Sequence, residues 1–157
     1  MPAPTFYDLY KFEKYVADGA KTILSVAGIS SSYAQQDNAN LGTPRVEIQT
    51  VLGTPTGHAK LSGSKAYYDN WNVTLNAVVV TERKDGSHAT HYDYTGKVIS
   101  TLGDTTNWNS GSVLPYHFIS RATYNGASPA VEAERNKDLS GLNFILSIWI
   151  KNDAWPF

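Results

Sequence analysis

The chain has 157 residues, of which 41% are hydrophobic, 17% charged and 12% aromatic; this suits one globular domain and excludes disorder throughout. It holds no cysteine, so a disulfide framework, thiolate zinc sites and thiol nucleophiles are excluded. The formal net charge is −1 and no long run of like charges occurs, so direct grip on nucleic acid is not expected.

The opening segment "MPAPTFYDLYKFEKY" has no basic stretch leading into an apolar core, and no apolar run approaches the roughly 18 residues that span a bilayer. The expectation is a soluble product that enters no secretory route by itself. In "FYDLYKFEKYVADGAKTILSVAGI", Phe6, Leu9, Phe12, Val16, Ile23, Leu24 and Ala27 recur at three- and four-residue steps, which predicts a helix with one apolar stripe, ended by Gly28. Gly19 weakens that helix by up to about 1 kcal/mol against alanine, so docking must hold it. "SSSYAQQDNANLGTP" has no period and reads as a long polar connection, with a flexible segment expected near 30–43.

"RVEIQTVLG" alternates, with Val46, Ile48 and Thr50 on one face and Arg45, Glu47, Gln49 and Val51 on the other, as in a half-buried strand. "TPTGHAKLSGSKA" then reads as a polar hairpin arm, flexible near 54–66. The next strand sets Trp71, Val73, Leu75, Ala77 and Val79 against Asn72, Thr74, Asn76, Val78 and Val80; the second face turns apolar at its end, as if covered there. Asn72-Val73-Thr74 matches a glycosylation sequon, but inside a strand pattern it is read as chance.

Asp85-Gly86-Ser87 predicts a turn with Ser87 as N-cap, followed by a helix whose stripe is His91, Tyr94, Thr95, Val98, Ile99 and Leu102, closed by Gly103. A polar loop follows. "LPYHFISRATYNG" reads as a strand with Asn125-Gly126 as a hairpin turn, and "LNFILSIWIKN" as a last strand with Leu142, Phe144, Leu146, Ile148 and Ile150 on one face. This order predicts a single α+β domain: a mostly antiparallel sheet with an N-terminal helix and a second helix packed on one face.

Chemistry-bearing motifs are weak. His88, His91 and Asp93 could suggest metal ligands, but Asp93 points away from the two histidines, and residues flanking a helix N-terminus are the better reading. Ser62-Gly63-Ser64 and Ser110-Gly111-Ser112 lack the geometry of a nucleophile elbow, and Glu132 and Glu134 beside Arg135 and Lys137 look like a solvated edge strand or turn. No catalytic, cofactor-binding or metal residue is assigned, and an enzyme is not expected. Trp108, Tyr116, Tyr124, Trp149 and Trp155 could build a stacking platform for a glycan or partner protein, although a core or interface role is commoner for such residues.

The strand "WNVTLNAVVVTER" leading into "SHATHYDYTGKVISTL", the polar arm before it and the final "GLNFILSIWIKN" give a layout that resembles the tail terminator (tail completion) proteins of long-tailed bacteriophages over most of the chain. The resemblance implies one domain over 1–157 with a short tail at 152–157, assembled as a hexameric ring that caps the tail tube, ends its polymerisation and presents a head-tail joining surface. Implied partners are further copies of the chain, the tail tube protein and head-tail connector proteins, with DNA only passing through the lumen, and no cofactor or membrane. The implied location is the tail and neck of a virion, with assembly in the host cytoplasm. Subunits joined head to tail make heterologous contacts, and Arg45, Glu47 and Gln49 with the arm around His58, Lys60 and Lys65 are the expected ring contact. Another neck or head-tail connector component and an aromatic-surface binding module are the alternatives.

Overall fold

The computed structural model describes residues 8–33, 42–60, 67–83, 88–110, 117–127, 131–134 and 137–151, with backbone only at 50–60, 67–68, 117–118, 127, 131–134 and 151. Its elements run α1 (Leu9–Val26), β1 (Ser31–Tyr33), β2 (Arg45–Lys60), β3 (Tyr67–Glu82), α2 (Ala89–Leu102), α3 (Thr105–Trp108), β4 (His117–Ala127), β5 (Val131–Glu134) and β6 (Lys137–Lys151). They form an α+β domain with one six-stranded sheet in the order β1-β2-β3-β6-β4, β5 pairing the end of β6. Every pairing is antiparallel except that of β1 with β2.

The helix α1 begins where the Asp8 carboxylate accepts a hydrogen bond from the Lys11 amide at 3.0 Å, satisfying one of the otherwise unpartnered N-terminal donors. Its end is a Schellman closure: the Gly28 amide donates to Ser25 and the Ile29 amide to Leu24, with Gly28 at φ +78°. Leu24 and Ile29, the residues that such a closure brings near one another, are both buried in the core. Phe12, Val16, Ala17, Ala20, Ile23 and Leu24 face the sheet, and Gly19 lies in the same buried stripe.

The sheet answers with Trp71, Val73, Leu75, Ala77 and Val79 of β3 and Leu142, Phe144, Leu146, Ile148 and Ile150 of β6, all buried. Phe12 meets Trp71 edge to face with ring centroids 5.6 Å apart, the geometry that aromatic quadrupoles prefer. Full burial of each large apolar side chain stabilises by about 1.5–3 kcal/mol, so this layer carries the fold. Val80, on the reverse face, is also buried, which fits the apolar turn of that strand's second face.

Several local expectations are corrected. The polar segment after α1 starts with a strand, β1, whose three residues pair in parallel with Val46–Ile48. The polar stretch after Leu52 continues β2 as far as Lys60, carried past irregularities between Val51 and Thr54 and between Pro55 and Gly57. Asn125-Gly126 is no turn: it lies inside β4, where the register slips between Tyr124 and Gly126 and Gly126 takes φ +145°. Turns and bulges both use a positive φ, so the same dipeptide serves either. His88 occupies the N-cap of α2 in place of the expected Ser87, and makes no side-chain cap hydrogen bond. The residue Ser87 and the turn 85–86 lie outside the described residues.

Candidate assembly surface

The β3–β6 pair forms the middle of the sheet, in register from Tyr68 opposite Lys151 to Glu82 opposite Lys137. The lateral edges belong to β2 and β4. On its outer side β2 meets β1 only at Val46–Ile48, so its backbone from Gln49 to Lys60 has no outer strand among the described residues. Likewise β4 pairs with β6 on one side and with no described strand on the other. Both edges carry bulges, and β2 also carries Pro55, features that discourage indiscriminate edge pairing.

Among the expected contact residues, Arg45, Glu47 and Gln49 lie on β2 and point away from the helices, on the reverse side from the buried Val46 and Ile48. Arg45 and Glu47 already face one another, Nε to Oε1 at 3.7 Å, with side chains 13% and 16% exposed, while Gln49 is exposed. His58 and Lys60 belong to the distal part of β2, opposite Asp69 and Tyr67 of β3. Lys65 lies outside the described residues. The structure therefore brings five of these six onto one strand but splits them between its base and its far end.

The helix-free face is polar and ordered. The Asn125 amide donates to Asn143 at 3.1 Å and the Asn143 amide to Asn76 at 2.7 Å, a chain of amides across β4, β6 and β3. Asn70 donates to Ser147 Oγ at 2.8 Å, and Trp149 Nε1 to Ser120 Oγ at 2.9 Å. A shallow concavity of about 460 Å³ on this face is lined by Asn72, Ser120, Arg121, Thr123, Ile145 and Ser147. Its mixed amide and hydroxyl character suits a wet protein contact better than a small apolar ligand.

Among the described residues the aromatics do not form one platform. Trp108 is wholly buried, its indole Nε1 donating to the Leu102 carbonyl at 2.8 Å, because the short helix α3 folds it back under the end of α2. Tyr124 is 40% exposed and leans on Phe144, and Trp149 is half-buried; Tyr116 and Trp155 lie outside the described residues.

The two histidines near the start of α2 make separate contacts, His88 with Asp138 of β6 and His91 with hydroxyls of β3 and β6. Asp138 of β6 is fully buried: its Oδ1 accepts from Arg83 Nε at 3.0 Å and Nη2 at 2.7 Å, and its Oδ2 faces His88 Nδ1 at 3.0 Å. Burial pushes this carboxyl up, yet the hydrogen bonds and charges of Arg83 and His88 outweigh it and hold the group below its ordinary value. One turn on, His91 is clamped between Thr81 Oγ1 and Ser140 Oγ, both at 2.8 Å, and burial lowers its pKa. Asp93 is exposed and apart from both, and no metal-holding group of His, Cys, Asp or Glu occurs among the described residues. On the far side, Tyr33 donates to the Asp18 carboxylate under Lys21, whose Nζ sits 3.9 Å from the ring centre, so β1 is tied to α1; the hydrogen bond and burial push the Tyr33 phenol up to about 12. No described helix is long and apolar enough to cross a membrane.

No protein-family model and no curated protein matches the chain. Among solved structures, it is similar to a chain of the virion of a native gene transfer agent (GTA) particle, with a TM-score of 0.50 at 13% sequence identity. The likeness covers 92% of this chain and 99% of that one, so it concerns the whole fold.

Proposed function

We propose that this chain is a structural protein of a tailed, phage-like virion, and that it acts as a tail terminator: a ring of copies that caps the tail tube, ends its growth and presents the surface to which the head joins. The single observation that carries the reading is the end-to-end likeness to a virion chain, 92% of one and 99% of the other. The geometry supports it. A small sheet with two different lateral edges, one extended well beyond its three-residue partner strand, is suited to head-to-tail contacts between copies, which close into a ring at one rotation and make a filament otherwise.

In this reading the function is geometric, not catalytic. Its partners are other copies, a tube protein and head-side connectors, its place is the neck of the particle, and DNA passes through the lumen without being held. The chain's net charge of −1 is compatible with passage, since retention would require phosphate-neutralising cations. The test pairs mass measurement in solution with class-averaged images of the purified protein, and with imaging of particles made without it. A ring in solution and overlong tails in its absence are expected. Normal tails lacking heads would move the chain to another neck position, and a strictly monomeric protein would end the ring reading.

A further inference from the structure

The first turn of α2 lacks the usual side-chain cap. Its N-cap residue makes no side-chain cap hydrogen bond, it carries no acidic residue, and Ala89, Thr90 and Tyr92 are exposed. What fastens it to the sheet is polar: His88 on Asp138, and the buried His91 between a hydroxyl of β3 and a hydroxyl of β6.

We propose that this turn is an acid-released latch, in which His91 locks the helix to β3 and β6 while its ring is neutral and lets go when the ring takes a proton. A neutral imidazole offers one donor and one acceptor, and the hydroxyls of Thr81 and Ser140 can each give or take, so both contacts are satisfied in either tautomer. A protonated ring has two donors and a charge that must sit in a site 1% exposed, at the positive end of a helix dipole.

The titratable and charged groups around the ring, among the described residues, do not remove that cost. From β6 comes Asp138, whose two oxygens are already engaged by Arg83 and His88; from the end of β3 comes the Arg83 guanidinium itself. From α2 come His88, whose charge opposes a second proton, and Tyr92, whose ring stands edge-on at 5.8 Å. Burial and His88 oppose protonation, Asp138 favours it, and the balance lies on the side of the neutral ring. An opened turn returns His91 to water and to its ordinary titration near about pH 6.5, so opening takes up one proton below that value.

The test is amide hydrogen exchange on the full chain from about pH 7.5 to about pH 5, corrected for the pH dependence of chemical exchange. The expected result is that amides of the first turns of α2, beginning with Tyr92, which donates to the His88 carbonyl, lose protection by about tenfold per pH unit below about 6.5. The β3–β6 ladder is expected to hold. His91→Gln, which can keep both hydrogen bonds without titrating, should flatten that slope. Flat protection in the unaltered protein, an unchanged slope in H91Q, or equal loss across helix and sheet would overturn the latch. Should H91Q not fold, NMR titration of the His91 ring in the unaltered protein decides: a midpoint below the ordinary histidine value, or none reached by about pH 5, supports it, and a midpoint at or above that value overturns it.

Discussion

Asp138 and His88 are joined across 50 residues of sequence by one contact of 3.0 Å, and Arg83 takes the other carboxylate oxygen, so a single buried acid on β6 holds both ends of the connection from β3 to α2. Removing Asp138 deletes the acceptor of these contacts, while Arg83 and His88, 25% and 40% exposed, can still be solvated, so the cost is that of lost buried hydrogen bonds, about 1–3 kcal/mol. Asp138→Ala is therefore expected to lose stability of about that size in urea unfolding. A loss within about 0.5 kcal/mol, the scale of ordinary surface changes, would show that the cluster contributes little.

Acid should weaken the whole fold in two separate windows. The folded-state pKa of His91 is lowered, so the unfolded chain binds this proton first: stability is constant above about pH 6.5 and falls as pH drops below it. The folded-state pKa of Asp138 lies below 3.8, so its contribution is present above that value and disappears as pH falls through the lower folded one. Urea midpoints against pH should show both declines, the upper absent in His91→Gln and the lower absent in Asp138→Asn.

Trp108 combines a core volume with a hydrogen bond to the last turn of α2. Trp108→Ala should cost about 3–5 kcal/mol. Trp108→Phe keeps most of the packing but leaves the Leu102 carbonyl without this indole donor, for a loss of about 1–3 kcal/mol. A surface-aromatic role would make both substitutions nearly neutral, and thermal melts distinguish the two.

At Gly126 an added Cβ would meet nothing within 4 Å, so only its backbone angle, φ +145°, resists substitution. Gly126→Ala is expected to cost about 1–3 kcal/mol and to loosen the β4–β6 register around Asn143. Exchange protection in β4 reads this directly.

The proposed ring contact can be tested separately from the pairing inside one protomer. Arg45→Glu alone breaks the internal pair, whereas Arg45→Glu with Glu47→Arg restores it with its charges interchanged. Both variants should fold and fail to close a ring in light scattering. A normal ring from the double variant would remove this pair from the contact.

The long alternations of β3 and β6 were readable from sequence because the helices bury one face of each completely, so Leu75 and Phe144 could be assigned before any coordinates. The helix stripes and the Gly28 stop were legible for the same local reasons. Strand β1 was not, since three polar residues gain their pairing only from Val46–Ile48, far along the chain. Trp108 sat among polar neighbours that suggested a loop, and only the fold-back of α3 hides it. Asp138 carried no local mark at all: its meaning comes from Arg83 and His88, 55 and 50 residues away. The edges of β2 and β4 are likewise properties of topology, absent from any single window.

The strand that pairs with β3, β4 and β5 follows all of them in chain order. A nascent polypeptide emerging from the ribosome can therefore pair β1, β2 and β3 among themselves, while β4 and β5 meet their described partner only once β6 has left the exit tunnel. Whatever this molecule joins, the sheet it offers is closed by a single strand, the latest of the six in chain order.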